Sequence, residues 1–277
     1  MPFSVLMSVY KKEQPAYLDA ALKSVFSQTL MPDEVVLIED GPLTEELERV
    51  IVEYGRQYAA LRTYRFAENV QLGRALEKGV ELCSNELVAR MDTDDIAVSD
   101  RFEKQYRYMQ EHSEIAACGG WLEEFNDAGT YSKVKRMPES GAELMKYARY
   151  RNPLNHMTVM FRRSEVLSAG NYEHFPLLED YYLWSRMLAA GGTFYNFPCV
   201  LVRMRTNDGV YGRRGGADYF RQYRRLRKKQ RELGLLKPRE YVTALALTAG
   251  MTLQPAWIRK IMYRRVLRKQ SEQNFLL

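Results

Sequence analysis

The first hundred residues alternate strand-like and helix-like segments. This alternation restricts the chain to a layered α/β fold built on right-handed strand-helix-strand units. Residues 4–10 form a short apolar run of strand length. Behind Pro15, a residue suited to the first turn of a helix, Leu18, Leu22, Val25 and Phe26 recur at helical spacing as far as Gln28. Residues 34–38 are β-branched and apolar after Glu34, as in a parallel strand covered on both faces. Thr44 is placed to cap a second helix, whose Leu47, Val50, Ile51, Tyr54 and Tyr58 share one face. Residues 61–66, 73–83 and 87–91 continue as strand, helix and strand.

Beyond Asp100 the pattern loosens. Residues 101–111 and 179–190 read as helices, and residues 115–125, 157–161 and 193–205 as strands. Residues 219–233 and 241–269 read as helical and basic. The expected architecture is a mostly parallel central sheet flanked by helices over residues 1–210, with a nucleotide-binding half (1–100) and an acceptor-binding half (101–210). A basic helical extension follows over residues 211–277.

Charge follows the same division. Residues 211–277 hold 17 Lys and Arg against 4 Asp and Glu, so the rest of a chain of net charge +6 is acidic. A basic tail on an acidic body suits contact with a polyanion, either nucleic acid or an anionic membrane surface. The apolar run at residues 241–253 falls short of the ~20 residues that span a bilayer. The N-terminus lacks the basic flank and long apolar run of a signal peptide. Cys83, Cys118 and Cys199 are scattered among apolar neighbours, which fits a reducing, cytoplasmic setting.

In open α/β sheets ligands bind beyond the carboxyl ends of the strands. Tyr10, Asp40 and Asp92 each follow an expected strand directly, so three polar positions converge on one edge. The sharpest signal is Arg90-Met91-Asp92-Thr93-Asp94-Asp95, three carboxylates within four residues at a strand end. They repel one another and call for a positive partner, and hard oxygen ligands suit Mg²⁺ or Mn²⁺ shared with a substrate phosphate. The plain alternative is a solvated Asp-rich turn. Asp40 could accept a hydrogen bond from a base or simply form a turn before Gly41. Asn69, Gly73 and Arg74 lie at a loop-helix junction, where Arg74 could pair with a diphosphate or be a surface residue. Glu179-Asp180 could supply a general base or merely complement a helix dipole. Tyr181 and Trp184 beside it could stack on a sugar or fill the core, and His156 on its own is as readily structural as functional.

Taken in order, these segments resemble glycosyltransferase family 2, inverting enzymes of the GT-A (Rossmann-like) fold, over roughly residues 3–205. Val5 to Tyr10 looks like the opening strand whose end (Ser8, Val9, Tyr10) cradles the nucleotide. Ser24 to Gln28 is similar to the family's S-x-x-x-Q helix end. Ile38-Glu39-Asp40-Gly41 resembles the x-D-D-G segment whose Asp holds uracil. Asn69 to Ala75 resembles the N-x-G-x-x-x-A loop, shifted by one residue. Asp92-Thr93-Asp94 resembles the D-x-D motif, which implies Asp94 as metal ligand and Asp92 and Thr93 in nucleotide binding. Glu179-Asp180 resembles the E-D pair whose Asp is the catalytic base.

The resemblance implies a metal-dependent hexosyltransferase moving one glucose or galactose from a UDP-sugar. The acceptor would be a glycan or an undecaprenyl-diphosphate-linked sugar, touched by His156, Tyr181 and Trp184. The Asn155-His156 segment, Glu179-Asp180-Tyr181 and Arg213-Arg214-Gly215-Gly216 also look like enzymes building bacterial surface polysaccharide (capsule or O-antigen) at the inner face of the plasma membrane. The Q-x-x-R-W motif of processive synthases is absent, so one sugar per acceptor is expected, and Arg203 to Gly209 offers no late histidine ligand. The basic tail, with Trp257, Ile258, Ile261, Met262 and Leu267 among Arg and Lys, reads as a helix lying on an anionic membrane. A haloacid-dehalogenase-type phosphatase would want a small residue or Val where Ile96 stands. A nucleotidyltransferase would want glycine after the first strand. A non-enzymatic nucleic-acid binder would leave the strand-end carboxylates unexplained, so no nucleic acid is expected.

Overall fold

The computed structural model describes residues 2–206 and 215–254, and Arg213, Arg214 and the residues from Trp257 onward lie outside them. Among the described residues nine strands form one mixed sheet in the order β3-β2-β1-β4-β8-β6-β9-β5, with β7 on β6. The strands β1 (Ser4–Val9), β2 (Glu34–Glu39), β3 (Leu61–Arg65) and β4 (Leu87–Arg90) are parallel neighbours. Their connections are α1 (Pro15–Phe26), α2 (Glu45–Gln57) and α3 (Leu72–Leu82). Every residue of β2 and β4 is buried, as two-sided coverage by helices requires. The short β5 (Ile96–Ala97) leads into α4 (Arg101–Glu111).

The second half is built on β6 (Ile115–Phe125), which pairs in parallel with β9 (Thr193–Arg205) over most of its length. Between them come β7 (Ser132–Lys135), α5 (Gly141–Ala148), β8 (Met160–Arg162), α6 (Arg163–Ser168) and α7 (Glu179–Ala189). Strand β8 runs antiparallel between β4 and β6 and so joins the two halves into one sheet. The expected strand at residues 157–161 is thus shorter than its apolar run. A 3-10 turn occupies His156–Thr158, where Thr158 Oγ1 bonds back to Asn155 O at 2.8 Å, and the strand begins only at Met160.

Two cores cover the two faces. One packs α1, α2 and α4 around Phe3, Val5, Leu22 and Phe102, and the other packs α3 and α7 around Leu6, Leu76, Phe161 and Trp184. A third cluster joins Phe175, Tyr181 and Tyr182 to Leu226 of α8 (Ala217–Glu232), which is followed by α9 (Pro238–Thr252).

Gln71, just before α3, has φ 73 and ψ 156, a region open in practice only to glycine and costing about 1–3 kcal/mol for other residues. Gly73 answers a different need, because a Cβ there would stand 2.9 Å from Glu173 O and 3.5 Å from Glu179 Cβ. Gln71→Gly should therefore stabilise the fold by about 1 kcal/mol, after roughly 0.5–1 kcal/mol is offset by glycine's greater unfolded-chain entropy. The urea midpoint should rise at unchanged slope, and a lowered midpoint would contradict the strain.

Candidate active site

Because β2, β1 and β4 are adjacent and parallel, the positions after them fall side by side. Tyr10 is exposed at the end of β1, and Asp40 N donates to Val9 O at 2.8 Å. Ser8 is half-buried, and its carbonyl accepts from Thr93 Oγ1 at 3.3 Å. Thr93, expected to face a nucleotide, is 4% exposed and also donates to Glu13 Oε2 at 2.9 Å, so it ties the end of β4 to the turn after β1.

Asp40 is buried, and both of its oxygens are engaged. Oδ1 accepts from Val70 N at 2.6 Å and Oδ2 from Asn69 Nδ2 at 2.8 Å. Burial pushes its carboxyl above the ordinary value while these donors hold it down. Asp40 and Asn69 thus fix the loop that leads into α3, and Arg74 stands exposed on the first turn of that helix.

Ligand atoms of Asp92, Asp94 and Asp95 lie within 4.8 Å of one another. Asp92 pairs with the buried guanidinium of Arg90 at 2.5 Å. Arg101, also fully buried, donates to Arg90 O at 2.7 Å and so fixes the strand from which the cluster springs. Asp95 Oδ1 accepts from Arg205 N at 2.8 Å, whereas its buried Oδ2 has no hydrogen-bond partner among the described residues. Burial, with Asp92 and Glu13 nearby, pushes Asp94 up to about 7, and burial beside Asp94 pushes Asp95 well above its ordinary value. An orphaned buried carboxylate oxygen within a set of hard oxygen donors fits Mg²⁺ or Mn²⁺.

The second acidic group stands at the start of α7. Asp180 Oδ1 accepts from Tyr181 N and Oδ2 from Asn152 Nδ2, each at 2.6 Å. Burial raises both carboxyls, that of Glu179 to about 7. The charge of Arg90 acts on Asp94, Asp95, Glu179 and Asp180 alike, so one buried cation serves both acidic groups. His156 is half-buried, with Nε2 2.9 Å from the Tyr172 hydroxyl, and burial beside Arg90 holds it neutral, well below the usual histidine range.

Tyr181 and Trp184, expected to touch an acceptor, point inward instead, with exposures of 1% and 0%. Tyr181 donates to Ala148 O at 2.7 Å, and Trp184 packs among Tyr172, Phe194 and His156. As placed, neither offers a face to a ligand. The sequence reading in turn passed over Glu13, Asn152, Leu177 and Arg205. Leu177 is 58% exposed at φ 70, two residues before Glu179. Arg205 donates to Asp94 O at 3.1 Å and lies 4.0 Å from the Tyr17 ring centroid. Of these, Asn152 had a sequence signal, as the first residue of the Asn152-Pro153-Leu154-Asn155-His156 segment.

The family profile described as Glycosyl transferase family 2 matches residues 4–170. The chain is 38% identical over 266 residues to the amylovoran biosynthesis glycosyltransferase AmsE of Erwinia amylovora, covering 95% of this chain and 98% of that protein. It is 33% identical over 268 residues to a UDP-Gal:alpha-D-GlcNAc-diphosphoundecaprenol beta-1,3-galactosyltransferase of Escherichia coli, covering 96% and 97%. Among solved structures, S. aureus TarS 1-349 in complex with UDP-GlcNAc aligns with a TM-score of 0.70 at 15% identity, over 98% of this chain and 78% of that one.

The crowded carboxylates have a measurable consequence without any ligand. Asp94 is raised from 3.8 to about 7, so its ionisation opposes folding. Its contribution is fully present below about pH 4 and lost as pH rises through about 7. In chelator, Asp94→Asn should be more stable than wild type at pH 8 by on the order of 1–2 kcal/mol after allowance for screening, with the gap closing toward pH 4. Parallel pH curves for the two proteins in chemical denaturation would contradict this.

Proposed function

The chain belongs to glycosyl transferase family 2 and has the GT-A fold, and from that premise we propose that it transfers one sugar from a UDP-sugar to a lipid-linked acceptor, with inversion, in bacterial surface-polysaccharide synthesis. The observation that carries this reading is the pairing of a strand-end carboxylate cluster with a second, hydrogen-bonded carboxylate across one buried cation. Galactose is favoured over glucose, and an undecaprenyl-diphosphate-linked sugar over a free glycan, by the whole-length likeness to the galactosyltransferase named above.

On this reading Tyr10 offers its exposed ring to the base. The loop held by Asp40 and Asn69 shapes the uridine pocket, and Gly73 lets α3 approach α7 so that Arg74 meets the diphosphate. Asp94, with Asp92 and the free oxygen of Asp95, would hold Mn²⁺ or Mg²⁺, which neutralises charge on the departing diphosphate when bound. Asp180 takes the proton of the acceptor hydroxyl as its oxygen bonds to C1 and the C1–O bond to UDP breaks. Tyr181 N–H and Asn152 keep that carboxylate aimed. Glu179 stands beside it, and His156 supports the acceptor side as a neutral hydrogen-bonding group.

Calorimetric titration with UDP tests the donor site. Wild type should bind in Mn²⁺ and lose at least about tenfold in affinity in chelator, equivalent to ~1.4 kcal/mol. Asp94→Ala should show the weak affinity with or without metal. Equal affinity in all four titrations would sink the metal assignment.

The membrane surface belongs to the same proposal. Among the described residues no helix is long and apolar enough to cross a membrane. Helix α9 nevertheless exposes Val242 at 64% and Leu247 at 54%, and Leu253 just past its end is 54% exposed, beside the strongly basic α8. Exposed apolar side chains beside a cationic helix suit the interface of an anionic bilayer at the cytoplasmic face. The protein should float with phosphatidylglycerol vesicles but not with neutral ones, and Val242→Asp with Leu247→Asp should remove most of that recovery. Equal flotation of the double variant would overturn the assignment.

A further inference from the structure

Arg227 projects from α8 and is 1% exposed. Its guanidinium donates to Arg149 O at 2.9 Å and to Tyr150 O at 2.5 Å, two carbonyls left over where α5 ends. It also donates to the Tyr181 hydroxyl at 2.9 Å and to Gln230 Oε1 at 2.7 Å. Gln230 then donates to Ser185 Oγ at 2.9 Å, and Ser185 to Tyr181 O at 2.8 Å. The Tyr181 hydroxyl donates in turn to Ala148 O at 2.7 Å.

Apart from the bond to Gln230 within α8, these bonds end on two segments, residues 148–150 and the first turns of α7. Both segments hold Asp180. Asn152 follows two residues after Tyr150 and supplies one of its hydrogen bonds, and Tyr181 N–H supplies the other. A buried guanidinium is costly, and an apolar side chain would fill a helix contact without that cost. Its rigid fork instead fixes the spacing of several acceptors at once. Here the acceptors belong to the two segments whose relative position sets the aim of one carboxylate.

We propose that Arg227 is a positioning residue for Asp180, and that α8 is thereby a working part of the catalytic apparatus. Arg227 clamps the Asn152 segment to the start of α7 from behind, so that both hydrogen bonds to the carboxylate are made together. The proposal rests on the reading of Asp180 as the base. It makes the position of the basic C-terminal helix a determinant of turnover, while the donor site, built on the ends of β1, β2 and β4, stands apart from it.

The test compares Arg227→Met, Arg227→Lys, Tyr181→Phe and Asp180→Asn in the full-length protein. For each, kcat for sugar transfer per folded molecule is measured beside the UDP dissociation constant and the melting temperature. Misplacing a reacting group by about 1 Å can cost on the order of a hundredfold in rate. Arg227→Met should lose about that factor in kcat while UDP affinity stays within about twofold of wild type. Arg227→Lys should recover part of the loss, and Tyr181→Phe, which removes the two hydrogen bonds of the hydroxyl and no charge, should lose roughly tenfold.

A merely structural role would lower the melting temperature and leave kcat per folded molecule unchanged, or lower kcat and UDP affinity together. Either result overturns the proposal. If Arg227→Met does not fold, the lysine and phenylalanine variants decide by the same split. Full transfer by Asp180→Asn would remove the base reading itself. Loss of transfer there, with wild-type kcat in all the Arg227 and Tyr181 variants, would leave the base in place and dismiss the clamp.

Discussion

The site depends on the ion pair between Arg90 and Asp92. Arg90 is 1% exposed at the end of a fully buried strand, and its carbonyl is held by a second buried guanidinium, Arg101. Burial holds Arg101 down to about 9, a sign of how dry this layer is. Two desolvated cations are unfavourable unless carboxylates stand close by. Arg90 pairs directly with Asp92, and its charge also acts on Glu179 and Asp180. Burial, and after it the neighbouring carboxylates, nevertheless keep Asp94 and Glu179 raised to about 7. A metal ion held there, as proposed, would favour their ionised forms.

The parts of this arrangement that were legible in the sequence are those encoded locally. Helix α4 and strands β6 and β9 occupy the residues expected of them, because hydrophobic periodicity over eleven or more residues outweighs boundary effects. The strand-end carboxylates were legible for the same reason, since strand and acid are neighbours in sequence. The short β1 to β4 were legible because they alternate with helices, whereas β5, β7, α5 and α6 lie outside that alternation and were not read. The run at residues 157–161 is apolar except at Thr158, and its first half bends into a 3-10 turn because Thr158 bonds back to Asn155.

What the sequence hid were contacts between distant residues. Glu13 meets Thr93 eighty positions away, Arg205 meets Asp95 at a separation of 110, and Arg227 meets Tyr181 at 46. No local spacing foretells such pairs. The aromatics of α7 were misplaced for a different reason. Acids at its first turn suggest a helix facing solvent on one side, but residues 181–185 are all buried. A helix buried nearly all round sends its aromatics into the core whatever its first turn does.

The two halves of the site are consequently held by different means. Strand register alone brings Tyr10, Asp40 and Asp92 together, and the strength of that scaffold lets it tolerate Gln71 in a glycine conformation and three crowded aspartates. Strain and like-charge repulsion of this kind persist only where the surroundings over-determine the backbone. The Asp180 half has no such register, because Asn152 lies in an irregular segment and Asp180 in a first helical turn. Its geometry rests on side-chain hydrogen bonds running back through Tyr181 to Arg227. Removing one bond from such a network leaves buried groups unpaired and lets the segment drift, whereas a lost side chain at a strand end leaves the backbone in place. On the proposed assignment, the strand-end half would change by exchanging side chains on a fixed frame, and the Asp180 half by moving the frame itself.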